Sequence, residues 1–341
     1  MAAEVTRLSP RWVLPLLLVA LLLAALAALR IGPVALSSAD VWQGLWRGDG
    51  SLAALVVREL RLPRLLLAAL VGSALALSGA VLQGLFRNPL ADPGLIGVSA
   101  GAALGAVAVI VMAPALLAPV PVWLLPVMAF TGALLATALV WRIARRHGGT
   151  DVALLLLAGI AINALVMALT GVLVYLASDS QLRELTFWNM GSVAQASGAQ
   201  LLLVLPCLLP VWLAMPWLAR PLNALLLGEP VAGHLGYPVE RVKRVAVLCV
   251  ALSVGAAVSV SGLIGFVGLV APHLVRLTLG ADHRVLLPAS ALLGALLLVL
   301  ADTVARTLVA PAELPIGLVM SLLGGPFFLY LLTQQRGSRH G

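Results

Sequence analysis

Long apolar runs, broken at short intervals by clusters of Pro, Gly and charge, make up nearly all of this chain, with segments near 12–30, 58–82, 93–112, 122–141, 152–176, 200–219, 244–262, 265–279, 284–304 and 315–332. An apolar helix of about 20 residues crosses the hydrocarbon core of a bilayer, so the pattern predicts an all-α polytopic membrane protein of about ten transmembrane helices. Two connections stand out. Gln83 to Gly105, QGLFRNPLADPGLIGVSAGAALG, is a polar, Pro- and Gly-punctuated turn wedged between apolar segments. Arg220 to Arg244, RPLNALLLGEPVAGHLGYPVERVKR, is long for a connector without a role.

A set of small residues recurs along the chain. Val71, Gly72, Ala74, Ser78, Gly79 and Pro89 are matched 183 residues later by Val254, Gly255, Ala257, Ser261, Gly262 and Pro272. Small residues let transmembrane helices approach closely wherever they cross, which accounts for the Gly and Ser positions but not for the matched proline. The repetition predicts a duplicated core, half one at about 1–195 and half two at about 196–341, within a single transmembrane domain. With five spans in each half, the second span and its mate, the seventh, run in opposite directions, so the halves are inverted.

Composition agrees: 62% of the 341 residues are hydrophobic and 10% charged, a balance no soluble globule of this length hides. Cys207 and Cys249 lie inside apolar runs, which implies neither a disulfide framework nor a metal-cysteine site. The first run is read as a retained helix and not a signal peptide, from its length. With the N-terminus in the cytoplasm, the outer side receives Arg30, Arg47, Arg58, Arg61, Arg64, Arg183 and Arg306, leaving 14 of the 21 basic residues inside. This positive-inside bias predicts that both termini are cytoplasmic, and it explains the pI near 10.9 without nucleic acid.

Ion-coupled transporters keep ionisable groups at mid-membrane. The clearest here are Asp302 and Arg306, four apart on one helix and read as a local ion pair. An ATP-binding P-loop needs a lysine after a glycine-rich turn, and the sole lysine, Lys243 in ERVKRV, has no such cradle. Neither paired carboxylates nor an H-E-x-x-H helix marks an intramembrane enzyme. An ATP motor would therefore be a separate subunit, and 220–244 is the cytoplasmic coupling loop expected to engage it. There Leu222 to Leu227 reads as a short helix along the membrane surface, stopped at Gly228, and Pro230, Gly233, Gly236 and Pro238 bend the chain beyond it.

RLPRLLLAALVGSALALSGAVLQGLFRNPLADPGLIGVSAGAALG, LNALLLGEPVAGHLGY, GLIGFVGLVAPHLVRL, DHRVLLPASALLGALLLVLADTVAR and ELPIGLVMSLLGGPFFLYLL, in this order, resemble the ferric-siderophore, haem and cobalamin permeases of bacterial ATP-binding-cassette importers. The resemblance implies a type II importer in the bacterial inner membrane: a homodimer of ten-helix subunits, two cytoplasmic ATP-binding subunits that hold ATP-Mg, and a periplasmic substrate-binding protein. It implies no catalytic residue, metal site or resident cofactor on this chain. Arg61 and Arg64 of RLPR and Arg306 of DTVAR look like outer-surface arginines that dock the binding protein, although interfacial anchoring by cations also fits their type. Asn88 and Leu90, around Pro89, match a cytoplasmic gate, and Thr150 and Val152 a second gate layer. Leu222, Leu226, Gly228, Glu229 and Gly236 match the segment held by the ATPase.

Relatives that import haem carry a stretch similar to LR-xx-TFW-x-MGS within Tyr175 to Ser192. Tyr175, Arg183, Phe187, Trp188 and Met190 are accordingly the expected substrate pathway, with Arg183 offered to propionates and the aromatics to a porphyrin face, although belt aromatics and a loop cation are the plainer reading. Haem is then the transported substrate, with ferric siderophore and cobalamin as rival cargoes and an ion-coupled secondary transporter as the less favoured class. His147, His234, His273, His283 and His340 all fall on the cytoplasmic side, so haem would pass without firm iron ligation, Tyr175 and Met190 being weak ligand candidates.

Overall fold

In a bilayer a chain must satisfy its backbone hydrogen bonds within itself, and for these uninterrupted apolar runs the helix is the available solution. The computed structural model describes residues 10–46, 50–117, 119–146 and 149–337, so Arg47, His147 and His340 lie outside the described residues. Ten apolar helices correspond to the ten expected segments: α1 (Pro10–Arg30), α4 (Leu62–Leu85), α5 (Val98–Leu116), α6 (Leu124–Ala144), α7 (Val152–Tyr175), α9 (Gly198–Leu226), α11 (Val239–Ser261), α12 (Val267–Leu279), α13 (His283–Ala305) and α14 (Ile316–Gly337). Eight are long and apolar enough to cross a membrane, and α12 and α14 supply the two shorter apolar stretches. Between them lie α2 (Ser38–Trp46), α3 (Leu52–Leu55), a π-helical turn Val56–Arg61, a 3-10 turn Pro93–Ile96, α8 (Asp179–Met190), α10 (Glu229–His234) and a two-residue antiparallel pairing of β1 (Arg145–Arg146) with β2 (Gly149–Thr150).

The core sits around α4, where every residue from Val71 to Leu85 is buried. It is walled by α13, α12, α11 and α9, while α11 packs in turn on α5 and α6, so the central helix of each half lies against helices of the other. Backbone meets backbone at these crossings. A Cβ on Gly72 would fall on the carbonyl of Gly294, one on Gly294 would fall on that of Gly72, and one on Gly79 would fall on that of Gly268. Gly101 and Gly132 repeat the arrangement between α5 and α6.

Two expectations change. Pro272 is not a counterpart of Pro89: Pro89 lies in the turn after α4, whereas Pro272 is buried inside α12. The chain leaves α11 at Gly262, φ +67°, and regains helix at Val267 after Phe266, φ +66°, so the turn ends before the proline. A helical proline cannot donate to the carbonyl four residues back. Here that carbonyl belongs to Gly268, and the Gln83 side chain of α4 donates to it at 3.4 Å. Second, Leu222 to Leu227 is not a separate surface helix. The helix α9 runs unbroken through Pro206, Pro210, Pro216 and Pro221, because Leu218, Leu222 and Leu225 form a buried stripe that continues the apolar run. The surface helix is α10, so Leu222 is a core residue and Glu229 opens the exposed element.

Overpacking a tight crossing costs about 1–3 kcal/mol or more, because neighbouring backbone cannot give way. Gly79→Ala is therefore expected to lower the thermal unfolding midpoint and folded yield of the purified protein in detergent, and Gly171→Ala, which meets open space, to leave both unchanged. Equal stability of the two variants would contradict the packing described.

Candidate functional site

Helix C-termini leave carbonyls without partners, and arginines answer that need at one end of the bundle. Arg61 donates to Leu29 O at 2.6 Å, to Arg30 O at 2.9 Å and to Val34 O, closing the end of α1. Arg306 donates to Ala28 O at 2.5 Å, and Arg58 to the Gly44 and Leu45 carbonyls of α2 at 2.7 and 2.9 Å. Arg64 bridges two elements, with Asp302 of α13 at 2.8 Å and Glu313 at 2.8 Å. Asp302 thus takes its closest partner from α4, and Arg306 stands at 4.0 Å. Arg61 and Arg306 are 5% and 4% exposed. Burial and intrachain partners give the three expected docking arginines a role in tying α1, α4 and α13 together.

The same end carries α8. Ser178 caps it in a capping box whose Gln181 carboxamide reaches back to the Ser178 N–H at 2.9 Å and donates to Ile110 and Val111 carbonyls of α5 at 3.0 and 3.1 Å. Its far end is pinned by Gly191, φ +69°, followed by a bond from Ser192 N to Ser261 O at 2.7 Å. Cβ atoms on Gly262 and Gly317 would strike the Trp188 and Met190 carbonyls, so α8 docks on glycines of the second half. These anchors split the five expected pathway residues. Tyr175, at the end of α7, is 89% exposed and Phe187 59%, with Arg183 exposed one turn before it on the same stripe. Trp188 and Met190 are half-buried, and Trp188 packs with Leu185 against α5. Trp188 thus packs on α5 with one part of its ring and borders the cavity with another. Phe187, Trp188 and Glu184 line a cavity of about 710 Å³ completed by Gln195, Gln200 and Glu313, open to the same end of the bundle.

The opposite end collects the other expected residues. Arg87 and Asn88 follow α4, Asn88 is exposed, and its Oδ1 accepts from Leu90 N at 2.9 Å, which tightens the turn. The following 3-10 turn seats on α7, where Gly159 admits the Leu95 carbonyl and Asn163 donates to Gly94 O at 3.0 Å. Asp151 caps α7 through Ala153 N at 2.8 Å and Leu154 N at 3.1 Å, placing Val152 at its first turn beside buried Thr150. Gly228, φ +109°, turns the chain into α10, and Leu226 and Gly236 are exposed on either side.

Two clusters here were not read from sequence. Asn223 of α9 donates to Asp282 Oδ1 at 2.6 Å and accepts from His283 N at 2.9 Å and His283 Nδ1 at 2.8 Å, fastening α9 to α13. The Asp282 carboxylate accepts from Arg284 N, which with the Asn223 bond holds its pKa below the usual range. Lys243, 2% exposed, donates to Thr150 O, Glu229 and Glu240. An isolated lysine in a nearly lysine-free chain was the available signal, and ERVKRV shows only its solvent-like neighbours.

The FecCD transport family matches residues 17–334 of the chain. The hemin transport system permease protein HmuU of Yersinia pestis is 48% identical over 340 residues, spanning 98% of this chain and 99% of that protein. The vitamin B12 import system permease protein BtuC of Salmonella typhi is 44% identical over 333 residues, spanning 98% of each. Among solved structures, a metal-chelate type ABC transporter in an inward-facing conformation superimposes with a TM-score of 0.84 at 33% identity, covering 96% of this chain and all of that one.

Removing one partner of a buried ion pair costs about 3–5 kcal/mol, because the other charge is stranded. Asp302→Ala, which leaves Arg64 only part-exposed Glu313 and Arg306 only the Ala28 carbonyl, should lower the unfolding midpoint in detergent far more than Glu313→Ala, whose carboxylate is one-third exposed. Equal small losses would remove the ion pair from the account.

Proposed function

The chain belongs to the FecCD transport family, and from that premise we propose that it moves haem across the bacterial inner membrane as the permease of a type II ABC importer. Two copies form the transmembrane unit. A periplasmic binding protein delivers cargo to the outer end, and two cytoplasmic subunits that bind ATP-Mg engage α10 from the other, both termini of the chain lying on their side. The chain's part is passage and not bond-making.

Packing argues for a path between copies. The centre of each subunit is filled, since α4 is enclosed from Val71 to Leu85 and pressed against glycine carbonyls, which leaves no lumen for a macrocycle. Long apolar side chains stand exposed on α7, among them Leu157, Ile160 and Met167, and on α14, among them Leu322 and Leu323. A second copy facing these helices encloses a weakly binding apolar route, and a conduit has to release what it admits.

The observation that carries the cargo assignment is the exposed stripe of α8. Arg183 and Phe187 lie four residues apart on the exposed face of α8, and Phe187 lines the 710 Å³ cavity. Haem pairs a planar apolar macrocycle with two propionates, and an arginine fork matches a carboxylate. A corrinoid is the second reading, favoured by Glu184, Gln195 and Gln200 in the cavity wall, which suit an amide-rich periphery. Asn88 and Leu90 on one side and Thr150 and Val152 on the other form the inner gates, worked through Gly228, Glu229 and Gly236. Leu222 and Leu226 anchor that lever to α9. The arginine frame of Arg61, Arg64 and Arg306 supports the platform on which the binding protein sits.

Proteoliposomes holding this chain with its cognate ATPase and binding protein, offered hemin, cyanocobalamin or a ferric siderophore separately, test the cargo. Hemin uptake is expected, and Arg183→Ala should reduce it about tenfold, the scale of a lost charge-assisted hydrogen bond. Uptake of cyanocobalamin or siderophore alone would overturn haem as the cargo.

A further inference from the structure

Lys243 is the sole lysine of the chain and one of its most deeply enclosed large side chains. Burying an ammonium is costly unless all its protons find acceptors. Here the three donors are matched: Thr150 O at 2.6 Å, Glu229 Oε2 at 2.6 Å and Glu240 Oε1 at 3.0 Å. The acceptors come from three elements. Thr150 ends β2 and leads through the Asp151 cap into α7, Glu229 is the first residue of α10, and Glu240 shares α11 with the lysine. Both carboxylates are over a third exposed, so only the lysine is sealed in.

This geometry gives a displacement of α10 one polar line into the membrane domain. Glu229 is half-exposed beside buried Gly228, and a pull on Glu229 acts on the ammonium and through it on the backbone carbonyl just before α7. Gly228 also lies beside Arg87: the guanidinium is 3.8 Å from the point a Cβ on Gly228 would occupy, next to Asn88. The short surface helix therefore abuts both inner turns, but only the contact at Thr150 runs through a directional, charge-assisted bond.

We propose that Lys243 is the positioning residue that transmits movement of α10 to the start of α7, and so couples the ATPase cycle to the inner gate. The proposal rests on the importer reading above. Its test uses the complete importer in proteoliposomes, with hemin and cyanocobalamin as probes, and reads cargo moved per ATP hydrolysed. Lys243→Met removes the link, and because Glu229 and Glu240 are both over a third exposed it leaves no stranded buried charge, so the subunit should assemble with its ATPase at wild-type yield. ATP hydrolysis is expected to stay within about twofold while uptake per ATP falls about tenfold, the upper range for a lost coupling contact. A parallel fall of hydrolysis and uptake, with the ratio unchanged, would mean that Lys243 only holds the fold and would overturn the proposal, as would an unaltered ratio at full activity. Failure of the wild type to move either probe with ATP would instead overturn the importer reading, and the proposal with it.

Discussion

Helices in a bilayer gain no hydrophobic advantage from touching one another, since lipid chains are as apolar as leucine, and they associate where backbones approach closely. In this chain that constraint is met at Gly72 against Gly294 and at Gly79 against Gly268. The closeness has two consequences. It allows α4 to be surrounded completely, and it removes any passage through the middle of the subunit. On the proposed reading the cargo travels along the outside of this core, past α7 and α8, where exposed cationic, aromatic and apolar side chains stand.

The two ends of the bundle are built differently. At the end that carries α8, guanidinium groups are committed to helix C-terminal carbonyls and to Asp302, giving several redundant ties among α1, α4 and α13. Redundant, buried, charge-assisted bonds make a rigid platform. At the opposite end, each tie hangs on one side chain: Lys243 to Thr150, Glu229 and Glu240, Asn223 to Asp282 and His283, and Asn88 to the turn after α4. A tie that hangs on one side chain is broken by one substitution, in contrast to the shared arginine frame.

Much of this was legible in the sequence, for reasons rooted in periodicity. Ten apolar runs give ten helices because bilayer thickness sets their length, and the small residues at 71–79 and 254–262 mark crossings because only they admit a neighbouring backbone. The roles of the arginines were hidden, since charge counting places Arg61 and Arg306 on the outer side but cannot reveal that α1 ends within their reach. Leu222 misled because a proline and an arginine look like a helix boundary, while the buried stripe that carries α9 onward is visible only against its neighbours. The packing of Trp188 on α5 was hidden, because which face of α8 turns inward depends on Gly262 and Gly317, over seventy residues away. Lys243 was read only as a lysine lacking a phosphate cradle, because the acceptors that bury it come from distant parts of the chain.

The central claim is that this chain is a passive conduit driven by a separate ATP-binding subunit. Substrate uptake into proteoliposomes holding the complete importer, compared with internal ATP, with a non-hydrolysable ATP analogue and with ion gradients collapsed by ionophores, tests it most directly. The account predicts uptake with ATP that survives gradient collapse and stops with the analogue. Uptake that persists without hydrolysis and vanishes when the gradients are collapsed would contradict it.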